Sequence, residues 1–510
     1  MKKSACRWTA LVFLAGLLAV NCYRAATQSI VHDEALTWQI YLAGPASTIF
    51  QYYDANNHFL ATILFRISTA LFGVSEFAMR LPTLLAGAWF LWTALRLCTL
   101  IAGEGWSMLI GIAALTLNPL LLDFLVAARG YGLAIAGLFW GLYQMLAWFD
   151  ERARGLPEGE LRKRLWKAAL GMSIAVAANL TMLIPAFVMA VLFCVLLPQA
   201  TTKQAISEAA SAKTRKKSNK PKPRETRRAS SGAARVLHFS VPVAALAVIF
   251  FLAAPIDAAR AGDFYVGTAT ARASLENLAA SSFAYTEALR NHAGRGLWLG
   301  FAIVFLLAAP AAALIVALRR RAAERTIADL AMLITSVAVI GSAALLVAAH
   351  WVVGLPYPQD RTGLYFVPLA TLAAFALAGR ATVLWRKIIL AILIVVAAAF
   401  AAEWNTSSFL VWRYDADTKR IFETMEKSPR TATQALLGAS WVLEPSLNFY
   451  RVQRRADWLA QVRRDGFGGA RQFYVVARDD RGVIRRRGLR VIYAGLVSGT
   501  LLAVPGAPSQ

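Results

Sequence analysis

Residues 1–38 read MKKSACRWTALVFLAGLLAVNCYRAATQSIVHDEALTW, and the fold turns on how that stretch is taken. Lys2, Lys3 and Arg7 precede an apolar run from Trp8 to Val20, the layout of a secretory signal or of a first membrane crossing. A signal peptide needs a small-residue cleavage site, and none follows before Tyr23 and Arg24. The segment therefore reads as an uncleaved crossing with its basic end in the cytoplasm. It delivers Asp33 and Glu34 to the outer face.

Working outward, the rest of the 510-residue chain agrees. Of its residues 58% are apolar and 16% charged, and the net charge is +25; soluble proteins run at roughly 45–50% and 25%. Apolar blocks of about 17–25 residues suit a hydrocarbon core of about 30 Å. Disorder, collagen, coiled coil and a disulfide scaffold are excluded, and Cys6, Cys22, Cys98 and Cys194 have no spacing that suggests a zinc site. Candidate spans follow at 81–100, 107–123, 130–149, a close pair within 168–198, 236–254, 296–317, 326–350, 362–379 and 388–404. With the first, that makes an α-helical polytopic membrane protein of about eleven transmembrane helices.

Short cytoplasmic loops carry an excess of Lys and Arg. The loops 150–167 (six Lys/Arg) and 199–235 (eleven), the run Arg319–Arg325, and Arg380 with Arg386 and Lys387 all qualify. Placing them inside makes 124–130 and 75–80 external. Both flanks of Ala61–Phe72 then lie outside, so that short segment, with Arg66 at its centre, reads as an in-plane helix. The rival reading is a true short crossing, which breaks the charge rule elsewhere.

After residue 404 the chain becomes Arg-rich, with short alternating runs such as RQFYVVAR and LRVIYAGLV and a helical stretch at 418–426. Residues 405–510, with 17 Lys/Arg against 9 Asp/Glu, read as a small extracytoplasmic α/β domain beyond the transmembrane module 1–404. The 199–235 loop, with its run KTRKKSNKPKPRETRR, reads as disordered and lying on anionic membrane lipids, with no aromatics or fold that would suggest nucleic acid.

The polar residues hardest to explain gather at the outer face. Asp33 and Glu34 follow the first crossing; Asp54, Asn56, Asn57 and His58 end the external loop 27–60; Arg80 precedes the second crossing; Asp123, Arg129 and Tyr131 lie in PLLLDFLVAARGYG; Asp360 and Arg361 lie in YPQDRTGLYFVP. The external loop 255–295 adds Asp257, Asp263, Glu276 and Glu287. Singly each has a bland reading as interfacial cap or snorkelling cation. Carboxylates and cations converging on one face are what a phosphate-bearing substrate at the bilayer surface requires.

The elements HDEALTW, NNHFLATILF, LFGVSEFAMRLPTLLAG, LNPLLLDFLVAARGYGLA and DRTGLYFVPLATLAAFALAG, in that order, resemble GT-C glycosyltransferases of the dolichyl-phosphate-mannose protein mannosyltransferase and lipid A aminoarabinose transferase type. The resemblance covers roughly residues 7–404 and is strongest over the first 150. It implies an inverting enzyme that takes a sugar from a polyprenyl-phosphate donor and passes it to an envelope acceptor (glycan, lipid or protein) on the outer face of a bacterial inner membrane. It also implies a general base at Asp33, with Glu34 its neighbour, and donor binding by His58, Arg80, Asp123, Arg129, Tyr131 and Arg361. A phosphate leaving group needs cations rather than a carboxylic acid, unlike glycoside hydrolysis.

The chain also departs from the family. The usual His-Pro-Pro element is Asn57-His58-Phe59, and the position of an expected acidic residue is Ile135, for which Asp123 is the nearby substitute. Some relatives use a divalent cation, and the ligands here are too dispersed to assign one. Two other classes stay open: a transporter or lipid flippase, which would place such residues near mid-membrane on broken helices, and a non-enzymatic glycan-binding scaffold, which would tolerate loss of Asp33.

Overall fold

A computed structural model of the protein describes residues 3–215, 231–254, 266–286, 294–429 and 433–506. Among the described residues nine helices are long and apolar enough to cross a membrane. They are α1 (Lys3–Thr27), α5 (Glu76–Ala102), α8 (Gly130–Ala153), α10 (Leu183–Arg215), α11 (Gly232–Ala253), α13 (Arg295–Leu318), α14 (Ile327–Val353), α15 (Phe366–Ala378, with the 3-10 turn before it) and α16 (Val383–Ala402). Two more segments complete an alternating bundle. α9 (Glu158–Ala178) packs along α8. The span expected at 107–123 is α6 (Trp106–Thr116) followed, after a break, by α7 (Pro119–Phe124). The break has a local cause: Pro119 at the first position cannot donate to α6, and Asn118 restarts the helix by accepting the Leu121 amide at 2.9 Å.

Contacts identify the two ends of the bundle. At one, Arg7 meets Glu104 at 3.9 Å, Arg386 meets Ser107 at 3.0 Å, Arg380 meets Asp329 at 3.0 Å, and Arg152 and Arg235 share Glu158. At the other lie α2 (His32–Thr37), α3 (Thr48–Gln51), α7 and α12 (Ala271–Phe283). α4 (Phe59–Phe72) leaves from His58 and hands over to Glu76, which bonds residues beyond 404, so both its flanks sit at this second end. Its fourteen residues reach about 21 Å, short of a bilayer. Arg66 in its middle donates to the Tyr41 and Leu42 carbonyls at 2.8 and 3.3 Å.

α10 runs on to Arg215 and α11 starts at Gly232, so the segment expected to be structureless over 199–235 is helical at both margins, and residues 216–230 lie outside the described residues. Asp257, Asp263 and Glu287 of the 255–295 loop also lie outside them, while α12 occupies the loop's middle.

The C-terminal unit holds α17 (Thr418–Lys427), β1 (Leu437–Ala439), α18 (Glu444–Gln453), β2 (Phe473–Val476), α19 (Gly482–Arg486), β3 (Leu489–Ala494) and β4 (Leu501–Pro505). Strand order is β1-β2-β4-β3, with β1 and β2 parallel across α18 and the other pairs antiparallel. α17 turns Ile421, Phe422 and Met425 inward. That apolar cluster does not stop at the unit's edge. It runs on through Phe449 and Tyr450 into Ile30, Ala35, Trp38, Phe65 and Met79, so the unit expected to stand apart shares a core with α2, α4 and α5.

Candidate active site

The link between α1 and α2 is gripped from both sides. Glu34, fully buried, accepts Arg80 Nε and Nη2 at 2.9 and 2.6 Å and the Ala128 and Val31 amides at 2.6 and 3.1 Å. The remaining Arg80 donors go to the Ala25, Gln28 and Ser29 carbonyls at 3.2, 2.8 and 2.7 Å. From the C-terminal unit, Asp415 accepts the His32 amide at 2.7 Å, and Tyr450 accepts the Ile30 amide at 2.8 Å. The backbone that carries Asp33 is thereby fixed.

Asp33 points into a different environment. Its Oδ2 lies 3.6 Å from Arg129 Nη2 and 3.4 Å from Arg361 Nη2 and makes no hydrogen bond, and its side chain keeps 13% exposure. Trp412 bonds the same carboxyl. Burial alone would raise the Asp33 pKa; Arg129 and Arg361 outweigh it and hold the group below the usual carboxylate value, so it is ionised at neutral pH.

The two arginines are not equivalent. Arg129, buried as the residue before α8, spends Nη1 on Thr37 Oγ1 at 3.0 Å and Asn56 Oδ1 at 3.1 Å, and Nη2 on the Ala55 carbonyl at 3.1 Å, which leaves its Nε without a partner. Arg361 follows Asp360, a non-glycine residue at φ +45° whose amide is held by Asn277 Oδ1 at 2.6 Å. Its guanidinium lies 5.6 Å from the Trp412 ring centroid and bonds Tyr131, and its side chain keeps 15% exposure. Arg361 therefore has donors to turn to a ligand, whereas Arg129 mainly positions the loop 54–56.

His58 and Tyr131 complete the cluster, with rings edge to face at 5.1 Å. Burial first, then Arg129 and Arg361, hold His58 well below its usual pKa, so it is neutral, and its Nε2 has no partner. The close approach depends on glycine: a Cβ on Gly130 would fall 2.0 Å from the Ala178 carbonyl oxygen and 2.6 Å from His58 Cβ. A Cβ on Gly132 would fall 2.3 Å from the Phe124 carbonyl oxygen. The RGYG sequence is thus what lets α8, α9, α7 and His58 meet.

Of the eight residues assigned from the sequence to the base or to donor binding, the structure brings Asp33, His58, Arg129, Tyr131 and Arg361 together. It gives the other three a different role. Glu34 has both oxygens occupied and Arg80 all its donors, so neither is left for a substrate. Asp123 is consumed by Arg24 at 2.5 Å, Tyr285 at 2.6 Å and the Leu410 amide at 2.8 Å, so it ties α1, α7 and the chain after α16 together and cannot substitute for a carboxylate at the site. Sequence reasoning missed Trp412, Thr37 and Asp415. Asp415 is buried among polar groups, and burial, with a contribution from the Asp33 charge, pushes it up to about 8 against the bonds from the His32 amide, Ser446 and Thr418.

The donor set does not fit a divalent cation. One carboxylate faces the cluster, two guanidiniums flank it, and the neighbouring carboxylates of Glu34 and Asp123 are already saturated. Among the described residues no group of three His, Cys, Asp or Glu is arranged to hold a metal. The arrangement suits an anion instead, with an ionised base beside it.

No family model and no curated protein matches the chain. Among solved structures it is similar to ArnT from Cupriavidus metallidurans in the apo state, with 14% identity over 99% of each chain and a TM-score of 0.47. The same protein bound to undecaprenyl phosphate gives 14%, 99% of each chain and 0.39. The Archaeoglobus fulgidus oligosaccharyltransferase tethered with an acceptor peptide gives 14%, covering 87% of this chain and 63% of that one, with a TM-score of 0.42. Likeness at this level assigns no residue.

Proposed function

We propose that the protein is an inverting glycosyltransferase of the GT-C type, moving a sugar from a polyprenyl-phosphate donor to an envelope acceptor on the outer side of a bacterial inner membrane. The observation that carries this reading is the Asp33 carboxylate, ionised, with one oxygen free of hydrogen bonds, between two guanidiniums at one end of a membrane bundle. The alternation of eleven crossings from a basic amino-terminal end supports an outer placement of this end.

The chemistry follows from these atoms. An acceptor hydroxyl meets the Asp33 carboxylate and gives up its proton as its oxygen attacks the anomeric carbon. The bond from that carbon to the phosphate oxygen breaks, and the electron pair leaves with the phosphate. Arg361, aided by the Arg129 charge, takes the growing negative charge. Neutral His58 and Tyr131 donate hydrogen bonds without competing for the proton. Attack opposite the leaving group inverts the anomeric centre. Arg129 and Arg361 hold Asp33 ionised before the donor arrives; once a phosphate neutralises them, its basicity rises, so binding itself arms the base.

Mass spectrometry of envelope glycans and glycolipids from the source organism tests this, comparing intact cells, a deletion, and a strain carrying only Asp33→Asn. One sugar mass lost in both altered strains supports transfer with Asp33 as base. No change in any strain overturns the enzyme reading in favour of a transporter or a scaffold.

A further inference from the structure

The C-terminal unit places one large aromatic beside the site that the chemistry above does not use. Trp441 opens a 3-10 turn, Trp441–Leu443, between β1 and α18, and it is 60% exposed, whereas Trp38 and Trp412 are buried. The turn is pinned to α2: the Val442 carbonyl pairs with His32 Nδ1 at 2.6 Å, and the His32 ring stands edge-on to the indole at 5.9 Å. His32 is the residue before Asp33. The Arg464 guanidinium lies 5.7 Å from the indole centroid and is itself held by Glu444 at 3.1 Å. The indole is thus fixed against the residue that precedes Asp33 in the chain, with a cation at its side and most of its surface turned outward.

An exposed indole leaves apolar area in water that folding would otherwise bury. The ring presents an electron-rich face, and the polarised C–H face of a sugar ring is complementary to it, while Arg464 offers hydrogen bonds to the ring hydroxyls around the edge and the buried His32 backs the indole. We propose, building on the glycosyl-transfer reading, that Trp441 with Arg464 and His32 forms an acceptor subsite that stacks a pyranose ring and presents a hydroxyl to Asp33. The membrane bundle then holds the donor phosphate, and the C-terminal unit selects the acceptor by its carbohydrate. The rival role for such a tryptophan is an anchor in the lipid head-group layer.

The test uses the full-length protein in lipid nanodiscs and saturation-transfer-difference NMR. The probes are the oligosaccharides released by mild acid from the source organism's envelope and, in a second arm, its intact glycolipid fraction, so that free glycan and lipid-borne glycan are told apart. Wild type and Asp33→Asn are expected to bind alike, since Asp33 acts after docking. Trp441→Ala and Trp441→Leu should each bind about tenfold more weakly, a change of ~1.4 kcal/mol, and Trp441→Phe should recover part of the loss. Undecaprenyl phosphate affinity should be the same in wild type and the three Trp441 variants. Three results would overturn the subsite: no saturation transfer to wild type in either arm, Trp441→Leu binding as wild type does, or a fall in donor affinity that matches the fall for glycan. Failure of the transferase reading shows separately, as an Asp33→Asn strain whose envelope is unchanged.

Discussion

Asp33 and Glu34 are neighbours of the same chemical type, and the structure predicts that neutralising them has opposite consequences. Glu34→Gln keeps the shape but turns one oxygen into an N–H donor, aimed at groups that are themselves donors: Arg80 with the Ala128 or the Val31 amide. It also leaves the Arg80 charge buried and unopposed. Breaking a buried pair costs roughly 3–5 kcal/mol, and the three backbone carbonyls that still hold Arg80 put this case near the lower figure, about 3 kcal/mol. Asp33→Asn removes a carboxylate whose Oδ2 has no hydrogen bond to lose, and both arginines keep other partners, so stability should change by no more than about 1 kcal/mol. Its cost is chemical: losing a general base slows the reaction by about 10²–10⁴-fold. Denaturation midpoints of the purified protein in micelles give the first quantity, and sugar incorporation into the envelope gives the second. A double variant, Glu34→Gln with Arg80→Met, should recover part of the lost stability, because the uncompensated charge has gone. If Glu34→Gln is as stable as the parent yet inactive, Glu34 belongs to the chemistry and the division of labour is wrong. If Asp33→Asn unfolds the protein, Asp33 is structural and the base lies elsewhere.

Other outcomes follow from the same geometry. Gly130→Ala meets a backbone carbonyl that cannot swing aside, so it should cost ~1–3 kcal/mol and also lower activity by displacing Arg129 and His58; unchanged activity and midpoint would mean that α8 and α9 are not packed as described. Arg361→Lys should retain a little activity and Arg361→Ala almost none, with donor affinity falling in both, because a point charge replaces a fork in the first and nothing replaces it in the second. Asp415, pushed up to about 8, binds a proton in the folded chain that it releases near pH 4 when unfolded. The folded state therefore holds more protons between those values, and stability falls as pH rises through that window, by at most ~1.4 kcal/mol per unit, then levels off above 8. Asp415→Asn should flatten that slope in denaturation midpoints measured from pH 5 to 8.

The bundle was legible in the sequence because hydropathy reports directly on lipid: most of the long apolar helices, a short helix over 61–72, the helix at 418–426 and strands at 473–476 and 489–494 could be anticipated. β1 and β4 could not, since LGA carries no alternation and LLAVP ends in a proline suited to a strand terminus. The site was half legible. Charge type marks a residue as unusual at a membrane face but not what it pairs with, so Arg80 and Arg361 looked alike until one proved to have its donors filled by Glu34 and three carbonyls. Asp123 misled for the same reason. Its partner Arg24 lies 99 positions away, and Leu410 lies 287 positions away. Trp412 and Asp415 were invisible because they come from a segment that composition marks only as soluble.

That last point bears on how the site is built. A membrane bundle can place Arg129 and His58 by helix packing alone, since α8, α9 and α4 are held by glycine contacts. Asp33 is different: it sits on a six-residue α-helix that runs on only as the π turn Trp38–Leu42, together too short to be stable alone. Glu34 fastens that turn to the bundle, and Asp415, Tyr450 and Val442 fasten it to the C-terminal unit. The Asp33 carboxylate is therefore carried by the seam between the two parts rather than by either. On the proposed reading, an acceptor docked against the C-terminal unit would bear on the same turn that carries Asp33, and acceptor recognition would be coupled to the placing of Asp33 through His32, without a moving lid.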